Sequence, residues 1–103
     1  MDEIIDRIFE ISRTKEGKNL LQMTLKCGEE FGELSQAVLS YTEAPGCAYK
    51  GKTQADVAEE IADVFIVDVA MAVKAGITKE VLKEQILIKM NKWIEKITSD
   101  PTH

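Results

Sequence analysis

Apolar residues recur along the chain at helical rather than strand spacing. Ile4, Ile5, Ile8, Phe9 and Ile11 predict a short first helix that runs to about Arg13 and is broken at Gly17. Leu20, Leu21, Leu25, Phe31, Leu34, Val38 and Leu39 supply the apolar positions of a second helix, from roughly Lys18 to Thr42. The stretch EAPGCAYKGKTQ, Glu43 to Gln54, holds Pro45, Gly46 and Gly51 and reads as a loop. Thr53, with Asp56 three residues later, forms a capping pattern that starts a third helix from about Gln54 to Ala75. Gly76 suits its C-terminal stop and Thr78 the next start. Val81, Leu82, Ile86, Met90, Trp93 and Ile97 then carry a fourth helix to about Thr98, and the tail from Ser99 to His103 reads as frayed. There is no strand alternation, repeat or linker, so residues 1–103 form one all-α domain of four helices.

The third helix differs from the others. Ile61, Ala62, Val64, Phe65, Ile66, Val67, Val69, Ala70, Met71, Ala72 and Val73 cover nearly its whole circumference. A helix apolar all round is buried all round, and four short helices offer little material to cover it. The pattern predicts a homo-oligomer with this helix near the centre.

Charge narrows the function. The chain has 18 Asp+Glu against 13 Lys+Arg, a formal net charge of −5. Such a surface repels nucleic-acid polymers and anionic membranes, although it leaves room for a local basic pocket. Cys27 and Cys47 stand in no zinc spacing, and His103 is the sole histidine, so a zinc site lacks its usual ligands. The start, MDEIID, is acidic where a secretory signal is basic. The longest apolar region, Ile61 to Val73, is short for a bilayer and contains Asp63 and Asp68. These features predict a soluble cytoplasmic protein with reduced cysteines and no membrane association.

The candidate chemistry lies in two groups of acids. Glu29-Glu30-Phe31-Gly32-Glu33 falls in the middle of the second helix, and Glu30 and Glu33, three apart, project from one face. Glu59-Glu60-Ile61-Ala62-Asp63 repeats the arrangement on the third helix. A single such pair is commonplace on a solvated helix. Two pairs on adjacent helices are not, above all with Asp63 set in an apolar stripe where an unpaired carboxylate is costly. If the helices pack antiparallel, four carboxylates converge and require a cation. All-oxygen ligation suits Mg²⁺, Mn²⁺ or Ca²⁺. A di-iron bundle needs interior histidines, which this chain lacks, and an EF-hand needs a loop that is also missing. Asp68, five residues beyond Asp63, points about 140° away and does not join the set.

Cations accompany the acids. Lys26 lies four residues before Glu30 on the same face. Lys89, Lys92 and Lys96 share one face of the fourth helix, with Asn91 and Trp93 among them. A triphosphate held through a metal needs such cations for its free oxygens, whereas a solvated lysine stripe needs no ligand at all. Trp93 reads as a core residue, Lys50 and Lys52 as ordinary loop charges, and Cys27 as a small buried residue. Gly28 and Gly32 allow a ligand or a neighbouring helix to come close. There is no P-loop and no Ser-His-Asp or Cys-His set.

Glu29-Glu30-x-x-Glu33, followed after a spacer by Glu60-x-x-Asp63, resembles the EExxE…ExxD signature of the MazG-like all-α nucleoside triphosphate pyrophosphohydrolases. Asn91-Lys92-Trp93-Ile94-Glu95-Lys96 is similar to that family's Asn-Lys-aromatic-x-x-basic stretch, with Lys where the family often has Arg. The resemblance runs from about Lys18 to Ile97. It implies a MazG-like four-helix bundle assembled as a homodimer, or as a homotetramer built from two dimers. It also implies cleavage of a nucleoside triphosphate between the α- and β-phosphates to a monophosphate and pyrophosphate. Glu30, Glu33, Glu60 and Asp63 are then the Mg²⁺ ligands, with Mn²⁺ as an alternative ion. Glu29 supports the ligands or orients the attacking water, Lys26, Lys92 and Lys96 hold phosphates, and Asn91 touches sugar or base. Removal of non-standard or excess dNTPs is the role that follows.

Two other readings compete. A dUTP or dCTP hydrolase of the same all-α superfamily differs only in the base pocket. A non-catalytic helical oligomer or regulatory module keeps the fold and gains no thermal stability from Mg²⁺ and nucleotide. A helix-turn-helix DNA binder fits poorly with a sequence pI of about 4.9.

Overall fold

A computed structural model describes residues 1–46 and 50–99. Cys47, which falls in the expected loop, and the tail from Asp100 to His103 lie outside the described residues. The described residues hold four helices and no strand: α1 (Asp2–Thr14), α2 (Leu20–Tyr41), α3 (Gln54–Lys74) and α4 (Lys79–Ser99). No described helix is long and apolar enough to cross a membrane.

Local chemistry sets the helix ends. Asp2 and Glu3 in the first turn of α1 and Arg13 in its last turn oppose the helix dipole. Asn19 opens α2 with a reciprocal cap: its Oδ1 accepts from the Gln22 amide at 2.8 Å, and Gln22 Oε1 accepts from the Asn19 amide at 2.9 Å. Thr53 and Asp56 do the same for α3, as their spacing predicts. Thr78 Oγ1 accepts from the Val81 amide at 3.2 Å at the start of α4.

Both long helices of the central pair end in the same turn. After α3, Gly76 adopts φ 77°, while the amides of Gly76 and Ile77 reach back to the carbonyls of Val73 and Ala72. After α2, the residue in this left-handed position is Glu43, at φ 57°, and the amides of Glu43 and Ala44 bond Ser40 and Leu39. A side chain there is strained where glycine is not.

Helices α2 and α3 pack antiparallel. Thr24 meets Met71, Cys27 meets Asp68, and at the far end the Lys52 amide donates to Ser40. As one helix number rises the other falls, which is the antiparallel register. Helix α1 lies against α3, and the Lys74 ammonium donates to the Glu16 carbonyl just beyond α1. The core joins these three helices through Ile5, Met23, Ala37, Val69, Ala70 and Ala72.

Helix α4 stands apart. Lys83 pairs with Asp6 at 2.8 Å and with Asp2 at 3.8 Å, and Lys79 reaches Asp6 at 3.7 Å, so the start of α4 is tied to α1. No Cα of α4 lies within 8 Å of one in α2, and none of its residues is buried. Trp93 is 60% exposed, so the expectation that it packs in a core fails within one chain. The apolar circumference of α3 is also covered only in part. Val69, Ala70 and Ala72 are buried, but Ile61 and Ile66, nearer its start, remain exposed. The radius of gyration is 16.4 Å, against about 13 Å for a compact chain of this length.

Candidate metal centre

The antiparallel register places the middle of α2 opposite the first half of α3, which brings the two acid pairs together. Glu30 on α2 and Glu60 and Asp63 on α3 each direct a carboxylate oxygen so that the three atoms lie within 4.8 Å of one another. Glu30 is 7% exposed, Glu60 is half-buried and Asp63 is exposed. Sequence patterning placed Asp63 inside a buried stripe. In the single chain, the buried member of the set is Glu30 instead.

The charges here are incompletely matched. Lys26 Nζ lies 3.0 Å from Glu30 Oε1 and 3.4 Å from Glu29 Oε1, so one ammonium serves two acids. Its pKa is raised above the usual lysine value, first by the hydrogen bond to Glu30 and then by the charges of Glu29 and Glu30. Glu30 Oε2 and Glu60 Oε2 are buried and find no hydrogen-bond partner among the described residues. Glu33 lies outside the converging trio, one turn along from Glu30. It still feels the cluster: its carboxyl is pushed above the ordinary value, chiefly by the charge of Glu30, then by desolvation and by the charges of Glu60 and Glu29.

A hard divalent cation fits this arrangement. The donors are all carboxylate oxygens, and two of them are buried without a partner, a condition that costs several kcal/mol per charge unless something positive neutralises it. Glu30, Glu60 and Asp63 would hold the ion, with Glu33 adjacent. Coordination positions left over would fall to water or substrate oxygens, as Mg²⁺ prefers.

No family model, curated protein or solved structure matches the chain. The centre is therefore read from its own geometry.

Other side chains singled out by the sequence divide into two groups. Lys26 and Glu29 are at the centre. Asn91, Lys92 and Lys96 are on α4, which does not approach α2, and among the described residues no ion pair joins them to the acids. Asp68 faces outward and accepts from the Cys27 thiol at 3.0 Å. That bond, with desolvation and the Asp68 charge behind it, pushes the Cys27 pKa up, so the half-buried thiol stays protonated and is a poor nucleophile. In the loop, Lys50 donates to Gln36, and the Lys52 amide donates to Ser40. A Cβ built on Gly28 or Gly32 meets nothing within 4 Å, so both glycines face open space on α2.

One feature was not legible in the sequence. A cleft of about 320 Å³ opens between α1 and α2, floored by Ile66, Val67 and Ala70 of α3. Lys26 stands on its wall, one helical turn from Glu30. Arg7, Ile8, Ile11 and Ser12 of α1 form the opposite side. The sequence held one sign of it: Ser12 continues the line of Ile5 and Ile8 on the inward face of α1, and it is buried there.

Proposed function

We propose that the chain is a MazG-like, Mg²⁺-dependent nucleoside triphosphate pyrophosphohydrolase, acting as a cytoplasmic homodimer or dimer of dimers. The observation that carries this reading is the convergence of Glu30, Glu60 and Asp63 with two buried, unpartnered carboxylate oxygens. A bound Mg²⁺ supplies charge neutralisation for the triphosphate and lowers the pKa of water.

The side chains have separable tasks. Glu30, Glu60, Asp63 and the adjacent Glu33 fix the metal position from two packed helices, which gives the rigidity that an in-line attack requires. Glu29, exposed beside Lys26, orients the attacking water and takes its proton. The water oxygen bonds to the α-phosphorus as the bond from that phosphorus to the αβ-bridging oxygen breaks. Pyrophosphate leaves with the bonding pair, and the nucleoside monophosphate remains. Lys26 balances charge on the phosphates. The cleft beside Lys26, apolar on its floor and of suitable volume, accommodates the nucleoside. Clearing non-standard or excess dNTPs is the corresponding cellular role.

The test is product analysis. Each canonical dNTP and NTP, with dUTP, is incubated with the protein in the presence and absence of Mg²⁺ or Mn²⁺, and the products are separated by chromatography. Metal-dependent monophosphate and pyrophosphate, lost in Glu60→Gln, is the expected result. Diphosphate and free phosphate would keep the metal centre and overturn the cleavage position. No turnover with any nucleotide would favour the second reading, a non-catalytic helical oligomer, for which the bare surface of α4 already speaks.

A further inference from the structure

We infer that the cleft between α1 and α2 selects guanine nucleotides, with Glu16 accepting from N1–H and N2–H of the base and Lys18 donating to its O6. The inference rests on the function proposed above and names the base for that same site.

The first argument is the order of residues along the cleft. Its floor follows α3 from Ile66 to Ala70. Lys26 lines the end toward the acids, with its ammonium 3.0 Å from Glu30 Oε1. Glu16 and Lys18 line the other end, where the Lys74 ammonium donates to the Glu16 carbonyl. Lys74 is eleven residues beyond Asp63 on α3, a rise of about 16 Å. An extended nucleotide covers that span once the side chains at both ends are counted, so phosphates held at the acids leave the base beside Glu16. Ile8, Ile11 and Met23 line the walls, and apolar side chains suit the faces of a base.

The second argument is that the half-buried Glu16 is already fixed. Its Oε1 accepts from the Lys18 amide at 3.0 Å, and the Lys18 ammonium lies 3.4 Å from the same oxygen. The amide bond holds the carboxyl below its ordinary value, so Glu16 is ionised at neutral pH and only accepts. Both bonds fall on Oε1, and Oε2 keeps its accepting capacity. The ammonium contact is long and belongs to an exposed side chain, so it yields readily. When Lys18 turns to a ligand, Oε1 regains a lone pair beside Oε2.

The third argument is the pattern these groups offer, two adjacent acceptors flanked by a cationic donor. Guanine presents the complement, N1–H and N2–H next to the O6 acceptor. Adenine and cytosine each present one donor beside a ring-nitrogen acceptor, and thymine and uracil present one donor between two carbonyls. With any of these four, a carboxylate oxygen faces a lone pair, and that repulsion supplies selectivity.

Binding of the α,β-methylene analogues of dGTP, dITP, dATP, dCTP and dTTP with Mg²⁺, followed by calorimetry, tests the base end without turnover. The dGTP analogue should bind about 10–100-fold more tightly than those of dATP, dCTP and dTTP, the worth of a good bidentate contact. The dITP analogue lacks the N2 amino group and should fall between. Glu16→Gln keeps an oxygen for the Lys18 amide and gains an N–H, a pairing that suits adenine, so the order of dGTP and dATP should reverse with helical content unchanged. Lys18→Met should weaken the dGTP and dITP analogues more than that of dATP, which has no O6. Equal affinities, or a Glu16→Gln variant that weakens every analogue alike, would overturn the inference. Turnover of all dNTPs without a preference for dGTP would also overturn it and leave the reaction standing. A guanine preference that Glu16→Gln reverses, without turnover of any dNTP, would support the base site and overturn the reaction. No binding of any analogue would overturn both.

Discussion

Substituting Glu60 by Gln should stabilise the metal-free protein and abolish its response to Mg²⁺. The oxygens of Glu30, Glu60 and Asp63 lie within 4.8 Å of one another. Two unit charges at that distance repel by about 3.5 kcal/mol at an effective dielectric constant of 20. Glu60 takes part in two such pairs. Lys26, 3.0 Å from Glu30, offsets much of the first pair, and water screens the one with exposed Asp63, so removing the charge relieves about 1–3 kcal/mol in all. The introduced amide also offers an N–H to the buried, unpartnered Glu30 Oε2. For a domain of this size, each kcal/mol shifts the midpoint by roughly 4–8 °C, so the metal-free variant should melt about 4–24 °C above wild type. Mg²⁺ at about ten times its dissociation constant should stabilise the wild type by about 1.4 kcal/mol and leave the variant unmoved. The assay is thermal unfolding followed by circular dichroism, at one fixed protein concentration because oligomer stability depends on it. A merely structural Glu60 predicts the opposite signs. A lower melting point for the metal-free variant, or an undiminished Mg²⁺ shift, would refute the reasoning.

Two further outcomes follow from the same charges and from the turn after α2. Glu33 has a raised carboxyl in the folded chain, so its ionised form costs stability above its folded pKa, and the cost disappears as pH falls below the unfolded value of 4.5. Melts of the metal-free protein should therefore rise as pH falls from neutrality toward about 4.5 while the Mg²⁺ increment shrinks, and Glu33→Gln should flatten the rise. Further acidification should reverse the trend, because Asp56 and Asp6 are held below their usual range by Thr53 and Lys83 respectively, and that stability is lost as pH falls through their folded values. Glu43→Gly should gain about 1 kcal/mol, because φ 57° strains a side chain and not a glycine, and denaturant titration would show a higher midpoint at unchanged slope.

The helices and their ends were legible because they depend on neighbours in sequence. Thr53 with Asp56, and Gly76 before Thr78, mark boundaries through bonds that span only a few residues. The acid pairs were legible for the same reason, since three-residue spacing fixes a shared face before any packing is known. Convergence needed one additional fact, the antiparallel register of α2 and α3, which brings Glu30, Glu60 and Asp63 together and leaves Glu33 beside them. Burial within one chain was less legible. An apolar stripe states that a face is to be covered and not which chain covers it. Trp93 reads as a core residue and the stripe holding Ile61 as the centre of an oligomer, and both residues are exposed in the single chain. The cleft beside Lys26 left only Ser12, on the inward face of α1, as a sign in the sequence, because its walls come from three helices.

Lys26 connects the centre to its proposed reaction. A cluster of carboxylates can be relieved by protons, by a lysine or by a metal ion. Protons answer only in part, since it is Glu33 at the edge that is pushed toward the neutral form. Lys26 answers in part as well: it occupies Glu30 Oε1 and leaves Glu30 Oε2 and Glu60 Oε2 buried without a partner. The residual demand lies at these two carboxylates, which with Asp63 would hold a cation from both helices at once. A lysine paired with Glu29 and Glu30 holds Glu30 in place. With the acids neutralised by a divalent ion, that ammonium would be free to turn toward a phosphate at the mouth of the adjoining cleft. Substitution of Lys26 should then weaken nucleotide affinity more than metal affinity, which distinguishes a phosphate-binding lysine from one that only offsets the acids.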